Sequence, residues 1–60
     1  MDISKFLNVY ANLPIGIRSE IVVIMDDEGP MTWNAAYVEI VSNTELGKKI
    51  YNKLESMGVI

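Results

Sequence analysis

Neither cysteine nor histidine occurs in this chain, although half of its 60 residues are hydrophobic. That pairing severely limits how it can fold. So much apolar surface favours collapse, yet a domain of about 60 residues buries only about 60% of the surface its unfolded chain exposes. Small scaffolds commonly supplement such a core with disulfides, a metal or a partner. A disulfide needs Cys, and structural zinc is held by Cys and His. The chain is left with a tight core of its own or with oligomerisation.

Charge narrows the partners. Five basic and eight acidic side chains give a formal net charge of −3. Nucleic-acid binders neutralise phosphates with clustered Lys and Arg, so nucleic acid is not the expected partner. Nor does an acidic chain have an electrostatic reason to seek an anionic membrane surface. No apolar run approaches the roughly 20 residues of a membrane span. The opening Met1-Asp2-Ile3-Ser4-Lys5 lacks the plan of a signal peptide, and the expected location is cytoplasmic. The absence of Cys is compatible with that location.

Pro14-Ile15-Gly16, Gly29-Pro30 and Gly58 punctuate a chain without repeats or linkers. From Asp2 to about Asn12, Ile3, Phe6, Leu7, Tyr10 and Ala11 recur at helical spacing, with Asp2 as N-cap and Pro14 ending the helix. Ile21-Val22-Val23-Ile24-Met25 is a continuous apolar run rich in β-branched residues, which predicts a strand covered on both faces. Asp26-Asp27-Glu28-Gly29-Pro30 reads as a turn, with a short return strand around Met31. Thr32 to Ser42 fits a helix capped by Thr32, with Trp33, Ala36, Tyr37, Ile40 and Val41 on one face. Tyr37 to Val41 also has strand composition, so helix is the preferred reading and strand the alternative. Thr44 caps a last helix to about Met57, striped by Leu46, Ile50, Leu54 and Met57. Gly58 suits the left-handed C′ position of a Schellman ending, which brings Val59 onto Leu54.

The expected fold is therefore α+β, a single small two-layer domain over residues 1–60. It has an N-terminal helix, a β-hairpin around residues 20–32, and one or two C-terminal helices.

Few residues suggest chemistry. The acidic turn lacks EF-hand spacing, and acidic side chains favour turns in any case. Glu20, Glu39 and Glu55 are scattered carboxylates, and Ser4, Ser19, Ser42 and Ser56 have no His to activate them. No Gly-rich phosphate loop is present. Gly47 shares a face with Ile50, Tyr51 and Leu54, which points to close helix packing rather than to an anion site. Arg18, the sole arginine, is expected to pair at the surface with Glu20 or the acidic turn. Trp33 is expected in the core, and Tyr51, at the edge of the last helix's stripe, at the surface.

These readings leave a non-enzymatic protein-interaction module that self-associates, most simply as a homodimer protecting the Ile21–Met25 strand. Tyr37, Tyr51, Val59 and Ile60 are its candidate contacts. The alternative is a small accessory protein that binds nucleic acid or an anionic ligand through Lys48, Lys49 and Lys53. No enzymatic activity, cofactor or metal is expected.

Overall fold

The computed structural model describes residues 2–60. Helix α1 covers Ser4–Ala11 and buries Phe6 completely. Its N-cap is Ile3, one residue beyond the expected Asp2. Asp2 still serves the helix start, because its Oδ1 accepts from the Ser4 N–H at 3.0 Å and from the Ser4 hydroxyl at 2.7 Å. The helix closes at Asn12, two residues before Pro14. Pro14 then starts a feature the sequence reading did not foresee, a 3-10 helix over Ile15–Ser19. The Ile17 N–H donates to the Pro14 carbonyl at 3.0 Å and the Glu20 N–H to the Ile17 carbonyl at 2.9 Å.

Strands β1 (Ile21–Met25) and β2 (Gly29–Thr32) form an antiparallel hairpin. Gly29 turns it with a φ of 78°, a region glycine enters without steric cost. Val23 pairs with Met31, Ile24 with Pro30 and Met25 with Gly29, while a bulge separates Ile21 from Val23. Val23, Met25 and Met31 face the core. Ile24 and Pro30 face solvent, and Ile24 is 64% exposed. The expectation of a strand covered on both faces is thus overturned. The helices cover one face of a two-stranded sheet, and among the described residues no further element lies over the other.

Thr32 resolves the helix–strand ambiguity. Its Oγ1 accepts from the Ala35 N–H at 3.1 Å and starts α2 (Trp33–Val41), which buries Trp33, Ala36 and Ile40. Asn43, with a φ of 56°, ends α2. Its N–H donates to the Ile40 carbonyl and that of Thr44 to the Glu39 carbonyl, the bond pair of a Schellman motif. Thr44 also caps α3 (Glu45–Ser56) by accepting from the Gly47 N–H at 2.9 Å. At the far end Gly58 has a φ of 75°. The Gly58 N–H donates to Glu55 and the Val59 N–H to Leu54, so α3 closes as the sequence indicates.

The fold is a small α+β domain: helix, antiparallel hairpin, then two helices. Phe6, Ile40, Ile50 and Leu54 are the largest fully buried side chains of one core that also takes in the hairpin's inner face.

Candidate interaction surfaces

The residues singled out by sequence fare differently. Tyr51 is only 4% exposed, and its hydroxyl donates to the backbone carbonyl of Asp2. It is a core residue tying α3 to the chain's start, so its assignment to the surface is corrected. Tyr37, Val59 and Ile60 are half-buried against the core. Tyr37 stacks on Tyr10 with ring centroids 4.5 Å apart.

The three lysines do not form one free cationic patch. Lys53 Nζ donates to the Ile24 carbonyl at 2.9 Å, and Lys48 pairs with Glu45 one turn away at 3.4 Å. Lys49 alone of the three is exposed with no side-chain partner among the described residues. Ile24 and Pro30 form a non-hydrogen-bonded pair of the ladder, so the Ile24 carbonyl points to the outer edge of β1, where the ammonium group meets it.

Arg18 also departs from expectation. Its guanidinium lies 4.5 Å from the centroid of the Tyr10 ring, and Nη2 donates to the Tyr10 carbonyl at 3.1 Å. It forms no ion pair with Glu20 or the acidic turn. The Tyr10 hydroxyl donates to Asn34 Oδ1 at 2.8 Å, which joins α1 to α2. This cluster of Phe6, Tyr10, Tyr37 and Arg18 was not visible in the sequence, because no spacing rule links residues on three separate elements. It closes the 3-10 helix onto α1 rather than forming a recess.

Besides Met57 at the end of α3, the exposed large apolar side chains fall in two regions. One comprises the 3-10 helix and α2, which pack together, with Ile15 at 83%, Val38 at 56% and Val41 at 45% exposure. The other is the open hairpin face, with Ile24, Pro30 and the neighbouring Ile21, itself 59% exposed. Glu20, Asp26, Asp27 and Glu28 border the hairpin face, and all are exposed.

Among the described residues no cavity opens, and no group of three or more carboxylates converges as a metal site. No helix is long and apolar enough to cross a membrane. Comparison with protein-family models, with curated proteins and with solved structures finds no match to this chain.

Proposed function

We propose that the chain is a non-enzymatic protein-interaction module that self-associates as a homodimer. The observation carrying this reading is the set of large aliphatic side chains left in solvent on α2 and the 3-10 helix. Val38 and Val41 lie one turn apart on α2, beside the half-buried Tyr37. Chains of net charge −3 repel one another, which favours contact where charge is absent. Residues 29–38 contain no charged side chain, and the Glu39 carboxylate is occupied by the Thr44 hydroxyl at 2.6 Å. An isologous contact through this helix face satisfies both requirements.

Edge-to-edge joining of the hairpins has less support. Pro30 removes a donor, the bulge interrupts β1, and Lys53 occupies the Ile24 carbonyl. Such features blunt sheet edges against pairing. The lysine-patch reading is likewise weakened, because Lys48 and Lys53 already have partners. The non-enzymatic assignment rests on a sequence without His or Cys and with scattered carboxylates. A cytoplasmic setting goes with it, since the fold needs no disulfide.

Sedimentation equilibrium across the micromolar range tests the dimer. The expected result is a concentration-dependent monomer–dimer equilibrium that Val38→Glu shifts to monomer. A monodisperse monomer at high micromolar concentration overturns the reading.

A further inference from the structure

We infer that the open face of the hairpin docks a cationic, apolar segment of another polypeptide. This rests on the reading of the chain as an interaction module but concerns a different face from the proposed dimer contact. Ile24 and Pro30 stand opposite each other on the two strands, exposed, with Val22 half-buried beside them and Ile21 exposed at the bulge. A face rather than an edge is offered, because the edges carry Pro30 and the Lys53 contact.

Charge specifies the occupant. No Lys or Arg occurs from residue 19 to residue 47, while Glu20, Asp26, Asp27 and Glu28 border the apolar strip. None of these four carboxylates has an ion-pair partner among the described residues. The neighbouring cation, Lys53, is committed to a backbone carbonyl. An apolar strip rimmed by unpaired negative charge complements a segment that alternates apolar and basic side chains. A second copy fits poorly here, since the exposed Lys49 is flanked along α3 by exposed polar Glu45 and Asn52 rather than by apolar surface.

The test uses the full chain, labelled for amide NMR, and a synthetic peptide of alternating Lys and Leu. A peptide with Glu in place of Lys is the control. Saturable shifts confined to residues 20–32, weakened by salt and absent with the Glu peptide, are expected. Ile24→Ser should weaken binding by about tenfold, the scale of removing one aliphatic side chain from a contact. Asp26→Asn combined with Asp27→Asn and Glu28→Gln should weaken it and flatten its salt dependence. Val38→Glu should leave it unchanged. Shifts centred on Lys48 and Lys49, equal response to both peptides, or indifference to Ile24→Ser overturn the inference. So does dimer loss caused by Ile24→Ser, which would make the face a contact between copies. A peptide response without any dimer sinks only the dimer reading, and a dimer without peptide response sinks only this one.

Discussion

A methyl group on Gly47 has no room. In α3 it would collide with the carbonyl group of Glu39 and lie 2.9 Å from the Ile40 nitrogen, both on the backbone of α2. Alanine is favoured over glycine in a helix by up to about 1 kcal/mol, so an open site would gain from the exchange. Here Gly47→Ala should instead destabilise by about 1–3 kcal/mol, as overpacking does. Chemical denaturation reads the sign directly, and an equal or higher midpoint would contradict the close approach. Gly47 was legible because it shares a helical face with Ile50 and Leu54. Tyr51 was not, although it stands beside them. Periodicity identifies a face but not what covers it, and Tyr51 meets Asp2, 49 positions away. Asp2 carries a second prediction at this scale. The Ser4 hydroxyl and then the Ser4 N–H hold its carboxyl below the ordinary value of 3.8. A folded value lower than the unfolded one adds stability above the unfolded value, and that stability is lost as pH falls through the folded value. Carbon-detected titration should therefore find Asp2 below 3.8 and Ser4→Ala returning it upward. The stability difference between the two proteins should vanish in acid, and an unshifted Asp2 would refute the bond.

The starts of α2 and α3 and the end of α3 each follow from a single residue, and this made the helical half readable. Thr32 and Thr44 each accept from an N–H three residues on, and Gly58 sits at the left-handed position its type favours. The Schellman ending of α2 was missed because Asn43, not glycine, occupies the turn. Asparagine tolerates that conformation better than other residues with a Cβ. Asn43→Ala should cost about 1 kcal/mol and Asn43→Gly should be neutral or stabilising. Thermal unfolding of the two variants checks the order, and a tolerated alanine would show that the turn does not constrain α2. The hairpin was read less well. Its unbroken apolar run points to burial on both faces, but among the described residues only the side with Val23, Met25 and Met31 is covered, and Ile24 stays exposed. Apolar composition cannot separate a covered strand from one awaiting a partner. Lys53→Met keeps the aliphatic stem and removes the donor to Ile24. It should cost about 0.5–1.5 kcal/mol, as a single hydrogen bond does, and speed amide exchange in the hairpin. Unchanged exchange would mean that the lysine does not hold the strand.

The accessible surface of 3695 Å² is close to the roughly 3,900 Å² expected of a folded monomer of 6.7 kDa. The radius of gyration, 10.3 Å, likewise matches the roughly 10.4 Å of a compact chain of this length. The protomer is thus fully collapsed by itself, and its exposed aliphatics are not the result of a loose fold. Collapse without disulfides still leaves little margin, because a core this small seldom supplies more than about 3–5 kcal/mol. Truncating one fully buried aliphatic costs about 2–5 kcal/mol, which is comparable with the whole. Ile50 and Leu54, both fully buried, should therefore behave as all-or-none positions. Ile50→Ala should show no cooperative thermal transition by circular dichroism. Val38→Ser removes a similar amount of apolar surface from solvent-facing α2 and should change stability by under about 0.5 kcal/mol. The contrast also separates folding from association. If Val38 were held by the protomer's own core, the two variants would fall together. If Val38→Ser leaves the transition intact while weakening self-association, the exposed aliphatics belong to the contact and not to the core. A cooperative transition in Ile50→Ala at an unchanged midpoint would instead require a larger stabilising reserve than one small core supplies, and association between copies would be the first place to seek it.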